Sequence, residues 1–283
     1  MIDPYLKSLL NIEFPIIQAP MAGGITTTEL VLAVSQQGGL GSIGAGYMTA
    51  PALEKQINEI QMNMKSSFNV NLFVPQPFTE EEDISLSKEY LEEVRKQLKM
   101  PKQFSVELPT FKKVKENYDK QLEVVIENKV PVVSFTFGLP SEDVMAKLCE
   151  AGITTMATAT TVEEAVAIEK LGIDIVIAQG SEAGGHRGNF LQDTDHSLIG
   201  LMSLIPQVVD AVKIPVIAAG GIMDRRGIEA ARALGASAVQ LGTAFLTTVE
   251  SGAHKMYKQA VLEAEETDTV LTKSLSGQNA RGP

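Results

Sequence analysis

Eight short apolar runs recur along this chain with amphipathic stretches between them, and that alternation constrains the fold more than any other feature. The runs are Ile16–Ala19, Gly41–Ile43, Asn69–Phe73, Val132–Phe135, Thr154–Ala157, Ile175–Ala178, Val216–Ala219 and Ala238–Gly242. Helical patterns occupy Thr28–Gln37, Pro51–Asn63, Glu142–Cys149, Val162–Lys170, Leu201–Val212 and Arg226–Leu234. Strands separated by helices imply βαβ units and a parallel sheet. Eight such strands in 283 residues predict a (β/α)8 barrel, an α/β TIM-barrel fold, in preference to an open doubly wound sheet. Gly152, Gly172 and Gly235 each follow a helical run and are expected to stop it.

The segment 75–128 is too long for one crossover. It carries Glu80-Glu81-Glu82-Asp83 and Lys112-Lys113-Val114-Lys115, and is expected to be a helical insertion, a second small region with solvated charge runs. No linker or low-complexity tract divides the chain, so residues 1–283 are expected to form a single domain. The formal net charge of −11 argues against nucleic acid or an anionic membrane as partner. No apolar run of spanning length and no signal peptide is evident. A single cysteine excludes an internal disulfide, and the expected location is the cytoplasm. That residue, Cys149, lies on a helix between strands four and five, where a buried, inert thiol is expected. The oligomeric state is left open, a homodimer included.

In such a barrel the chemistry sits on loops after the C-terminal ends of the strands. After strand six comes Gln179-Gly-Ser-Glu-Ala-Gly-Gly-His186-Arg-Gly188, where glycines admit close backbone approach and His186 titrates near neutrality. Glycines also follow strand one (Pro20-Met21-Ala22-Gly23-Gly24), strand seven (Gly220-Gly221) and strand eight (Gly242-Thr243). The last two together form a phosphate signal, because backbone N–H groups and a hydroxyl converge where barrels often hold phosphate. Asn71 sits in an otherwise apolar strand; it either bonds neighbouring backbone or faces a heterocyclic ligand, and Gln179 and Gln240 raise the same question. His196 and His254 are expected at the surface. No His, Cys or carboxylate cluster has metal-ligand spacing, so no metal is expected. No Gly-x-Ser-x-Gly elbow is present, and acyl chemistry is not expected.

Taken together, these motifs resemble the nitronate monooxygenase family, formerly called 2-nitropropane dioxygenases. The carrying residues are Gln18–Gly23, Gly38–Gly41, Gly44–Tyr47, Val70–Phe73, Gln179–Gly188, Pro215–Asp224 and Gln240–Leu246, and the match runs from about Ile12 to Arg281. The resemblance implies an FMN-dependent oxidoreductase, a flavoprotein that detoxifies alkyl nitronates with O2, giving carbonyl compounds and nitrite. Carried over by motif, Asn71, Gln179 and Gly184 contact the flavin and its ribityl chain, and Ala22 and Gly23 join the cofactor-binding set. Gly220, Gly221 and the run Gln240-Leu241-Gly242-Thr243 hold the phosphate end. His186 matches the histidine facing the substrate, as base or as anion-positioning group.

Two departures stand out. Asp224-Arg225-Arg226-Gly227 replaces the family's Asp-Gly-Arg-Gly, and the extra arginine is expected on a solvated helix start. The chain ends at Pro283 where relatives continue, so the family's C-terminal segment is expected to be absent; either the chain is a shortened form or the cavity is more open. The alternatives are a flavin-dependent enoyl-(acyl carrier protein) reductase and a flavin-binding protein without turnover.

Overall fold

The computed structural model describes residues 3–78, 84–100, 110–274 and 276–283. In chain order the elements are α1 (Pro4–Leu10), β1 (Ile16–Gln18), α2 (Thr28–Gln36), β2 (Gly41–Gly44), α3 (Ala50–Asn63), β3 (Phe68–Phe73), α4 (Ser85–Gln97), α5 (Phe111–Glu127), β4 (Val132–Thr136), α6 (Glu142–Glu150), β5 (Thr154–Ala159), α7 (Val162–Lys170), β6 (Ile175–Gln179), β7 (Gly185–His186), α8 (Leu201–Ala211), β8 (Val216–Ala219), α9 (Arg225–Ala233), β9 (Ala238–Leu241), α10 (Thr243–Leu246), α11 (Lys255–Glu263), β10 (Val270–Thr272) and β11 (Ala280–Gly282). Eight parallel strands follow the order β1-β9-β8-β6-β5-β4-β3-β2. The ring closes between β1 and the residue before β2, where Gln18 N donates to Leu40 O at 2.9 Å and Leu40 N to Ile16 O at 3.0 Å. This is the (β/α)8 barrel that the strand–helix alternation implies.

Side chains alternate in and out along each strand, because successive residues point to opposite faces. Outward residues such as Val70, Leu72, Val133, Phe135, Val176 and Ala178 pack against the helical ring. Inward residues Ile17, Val132, Met156, Ile175, Ile177 and Ile217 fill the lower barrel. Leu6 and Leu10 of α1 plug that end, one turn apart on one helix face. Asp3 caps this helix by accepting from Leu6 N at 2.9 Å, and Pro4 opens it, a combination preorganised for a helix start. Gly152, Gly172 and Gly235 terminate α6, α7 and α9 with φ of 69°, 87° and 104°, conformations that disfavour any other residue.

Between β3 and β4 the two helices behave differently. No residue of α4 is buried, whereas α5 buries Tyr118, Leu122 and Val125 in the core and lays its lysines, Lys112, Lys113, Lys115 and Lys120, toward solvent. Glu80–Asp83 lie outside the described residues. Gln121 of α5 donates to Ala45 O and Met48 O, both at 2.9 Å, and Asn117 donates to Met48 O at 3.0 Å, which fixes the connection that carries Tyr47. Cys149 corrects the expectation from sequence: it is exposed on α6, because Leu148 takes the inward position of that turn. Arg225 and Arg226 are exposed at the start of α9, paired with Glu229 and Asp224. No helix among the described residues is long and apolar enough to cross a membrane.

Candidate active site at the barrel mouth

Strand alternation and register bring three amides to one end of the barrel. Asn71, Gln179 and Gln240 share the inward phase of β3, β6 and β9, near their C-terminal ends. Asn71 is buried, and its Nδ2 reaches Ser134 Oγ at 3.0 Å, Ser134 O at 3.3 Å and Thr136 Oγ1 at 3.0 Å. The side chain therefore does bond neighbouring backbone, one of the two roles open to it. Gln179 commits both ends of its amide to the following loop: Nε2 donates to His186 O at 2.9 Å, and Oε1 accepts from Gly188 N at 2.9 Å. Gln240 is the exception, with a buried Oε1 that has no hydrogen-bond partner.

The loop Gly180–Gly188 is held from behind by charge. Arg187 is 2% exposed, and its Nη1 donates to Gly180 O at 2.6 Å while Nη2 donates to Ser197 O at 2.8 Å. Burial lowers its pKa; Glu164 and Glu182 pull the other way, and Arg281 adds to the lowering. Glu182 accepts from Leu201 N at 2.8 Å, placing a carboxylate at the N-terminus of α8. Glu164, fully buried, accepts from Thr160 N at 2.7 Å and from Phe190 N at 2.6 Å, so the far end of the loop is tied to β5.

His186 emerges from this frame onto an aromatic wall. Phe137, Phe73 and Tyr47 stand edge-on to its ring at centroid distances of 5.7, 6.3 and 6.5 Å. Burial against these rings lowers the histidine pKa from its ordinary 6.5, so the imidazole is neutral at neutral pH. Its Nε2 lies 2.7 Å from Ser276 Oγ and 3.5 Å from Tyr47 Oη. Phe137 adopts a left-handed backbone, φ 70°, immediately after β4, an uncommon and strained conformation for a bulky residue.

The C-terminal segment completes the wall. β10, β11 and β7 form a three-stranded sheet in which Ala280 pairs with His186 and Arg281 with Gly185. Arg281 Nε donates to Ser181 O at 3.2 Å. A cavity of about 500 Å³ opens here, lined by Tyr47, His186, Tyr257, Ser276, Arg281 and Pro283 among others. A hollow of about 560 Å³ at Asp3, Glu229 and Ser237 lies at the opposite end of the barrel, away from these loops.

The glycine positions fall into two groups. Gly220 (φ 125°) and Gly221 (φ 64°) press on the loop after β6: a Cβ on Gly220 would stand 3.0 Å from Ala183 N, and one on Gly221 3.0 Å from Glu182 Cβ. Gly242 caps α10, whose first residue is Thr243, and a Cβ on Gly184 would stand 3.1 Å from Thr243 Oγ1. The loops after β6, β8 and β9 are thus brought together. Ala22 and Gly23 sit in the turn after β1, with open space around Gly23. Leu241 faces away, into the cluster formed with Ala218, Ile222 and Val239. Tyr47, Phe73 and Phe137 escaped the residue-by-residue reading of the sequence, as did Arg187, Ser276 and Arg281 as site residues. Tyr47 and Phe73 at least end motifs that carry the family resemblance; Ser276 has no local signal. His196 and His254 are exposed, and no group of three or more His, Cys, Asp or Glu among the described residues is placed to hold a metal.

Fold and site together define a (β/α)8-barrel enzyme with one histidine on the wall of its mouth. Residues 3–283 match the family model described as nitronate monooxygenase. Two similar relatives are a probable nitronate monooxygenase of Staphylococcus haemolyticus, 52% identical over 98% of this chain and 77% of its own length, and one of Staphylococcus saprophyticus, 50% identical with the same coverage. Among solved structures, a nitroalkane oxidase from Streptomyces ansochromogenes superposes with a TM-score of 0.85 at 42% identity, covering 98% of this chain and 78% of that one. FabK from Thermotoga maritima gives 0.77 at 35% identity, covering 99% and 74%. The chain belongs to the nitronate monooxygenase family.

Proposed function

We propose that the protein is an FMN-dependent nitronate monooxygenase of the cytoplasm, converting alkyl nitronates and O2 to carbonyl compounds and nitrite. The observation that carries this reading is His186, a neutral imidazole on an aromatic wall beside a 500 Å³ cavity at the barrel mouth. The residues present fit FMN. Gln240 offers an unpaired buried carbonyl to a ring N–H, and glycine at 184 keeps the space above the Thr243 hydroxyl clear. Gly220, Gly221 and the start of α10 supply backbone N–H groups without side chains in the way, which suits a phosphate.

In this reading Gly220, Gly221, Gly242 and Thr243 hold the phosphate end, with Leu241 contributing its main chain only, while the Gln240 side chain turns to the ring. Asn71, Gly184, Ala22 and Gly23 border the ring and ribityl chain. Gln179 acts through the loop it clamps. When bound, FMN supplies one-electron chemistry between substrate and O2. The protein's own task is to place the substrate anion and keep water out. His186 Nε2 takes the carbon-bound proton of a neutral nitroalkane; a preformed nitronate needs placement alone.

The test is the visible spectrum of the purified protein, followed by oxygen uptake on adding a preformed alkyl nitronate without nicotinamide. Flavin bands and nitronate-dependent uptake are expected. A flavin-loaded protein that takes up no oxygen with nitronates refutes the reading. Rapid anaerobic bleaching by NAD(P)H in that same sample would select the enoyl reductase instead.

A further inference from the structure

We propose that Tyr47 is the substrate-binding residue that favours the nitronate anion over the neutral nitroalkane, its phenol donating to an oxygen on the substrate nitrogen. The proposal rests on the nitronate reading above. The loop after β2 is built to present this side chain. Gly44 N donates to Thr26 Oγ1 at 2.8 Å, Ala45 N to Asn71 O at 3.1 Å and Met48 N to Ala45 O at 2.9 Å. Glycine at 46 lets the loop lie on the Phe73 ring, which a Cβ there would strike. With the bonds from Gln121 and Asn117 of α5, the main chain on both sides of Tyr47 is fixed. Its ring stands edge-on to Phe73 at 5.7 Å between centroids, yet the residue is 61% exposed and lines the cavity beside His186.

Among the described residues the one polar contact of Tyr47 Oη is His186 Nε2 at 3.5 Å, the outer limit of a hydrogen bond. Ser276, the other hydroxyl against that imidazole, is committed to it at 2.7 Å, and Arg281 commits its Nε and Nη1 to Ser181 O and Thr269 Oγ1. Tyr47 is therefore the uncommitted donor next to the histidine. Partial burial raises its pKa above the ordinary 10.0, so the O–H is retained. The two substrates differ at the atoms this donor meets. A nitronate carries its negative charge chiefly on its two oxygens, whereas the oxygens of a neutral nitro group are weak acceptors. A hydrogen bond to a charged acceptor is the stronger one, so the phenol favours the anion in a protein whose net charge of −11 opposes it.

Tyr47→Phe removes the hydroxyl and keeps the ring. Its KM on a preformed alkyl nitronate is expected to rise about tenfold with kcat little changed, and its KM on the neutral nitroalkane to rise far less. Nitrate, a planar anion that shares the O–N–O edge, gives a second readout by titration calorimetry. Its dissociation constant should rise by a similar factor in the variant. A nitronate KM that stays where it was overturns the proposal, and so do equal rises on both substrates, which mark a disturbed wall in place of a lost donor. If the wild type turns over neither substrate, the proposed function fails and nitrate alone decides. Weaker nitrate binding in Tyr47→Phe then upholds Tyr47 as the anion donor, while equal binding by the two proteins, or none by the wild type, removes it.

Discussion

The two segments that meet at His186 are attached to the barrel in opposite ways. The loop Gly180–Gly188 is fastened from inside, by a buried guanidinium on Gly180 O and Ser197 O and by both ends of the Gln179 amide. The C-terminal hairpin lies on the outside, held by the short β7–β11 ladder, by Arg187 N donating to Asn279 O at 2.9 Å, and by Asn279 Nδ2 donating to Thr194 Oγ1 at 2.7 Å. The difference separates two kinds of hold. The loop that carries His186 is immobilised by buried polar bonds, which are costly to break. The segment that faces it sits on a short outer ladder that opens at little cost.

The sharpest way to break the contrast is to remove the inner fastening. Arg187→Met strips donors from buried carbonyls, and a loss of about 3 kcal/mol or more in urea unfolding is expected. A loss under about 1 kcal/mol would mean the guanidinium does not hold the loop. His186→Asn leaves the frame intact and is expected to cost about 100-fold on neutral nitroalkanes, with far less on preformed nitronates. Equal losses on both would make the histidine an anion-positioning group.

The acid limb of activity on neutral nitroalkanes is a third probe. Burial lowers the folded His186 pKa, so the unfolded chain binds the proton more readily. The contribution to stability is therefore present above the ordinary 6.5 and lost as pH falls through the folded value, and the limb is expected below 6.5. Phe137→Ala, which lets water reach the ring, should move that limb upward; a limb that stays put would deny the aromatic wall its effect. The smallest change concerns the outer segment. Asn279→Ala removes one partly exposed hydrogen bond, about 1 kcal/mol or less. Amide exchange should quicken in residues 270–282 while the global midpoint barely moves, and a large drop in midpoint would show the hairpin to be part of the cooperative core.

The barrel was legible because its strands are buried on both faces and so read as continuous apolar runs, Ile175–Ala178 being the clearest. Glycines at 152, 172 and 235 marked helix ends for a reason the backbone bears out. The mouth amides were visible because an Asn or Gln in such a run is anomalous. What escaped was non-local. Gly185-His186 is a strand only because it pairs with Ala280–Gly282, more than ninety residues away in sequence, and neither has a periodic pattern. α1 carried a usable signal, Asp3-Pro4 followed by Leu6 and Leu10, but seven residues are too few to stand out without the barrel floor they cover. Cys149 was misjudged because a single helical position is decided by which neighbour the turn buries, here Leu148.

Phe137 sets the demands of folding and of chemistry against each other at one residue. A glycine or asparagine would accept φ 70° more comfortably, by about 1–2 kcal/mol, yet neither would put a phenyl ring beside the imidazole. A population selected in the laboratory for thermal tolerance alone should drift toward small residues at this position. One selected to oxidise neutral nitroalkanes should not. The fate of residue 137 under those two regimes would report which pressure shaped the mouth of this barrel.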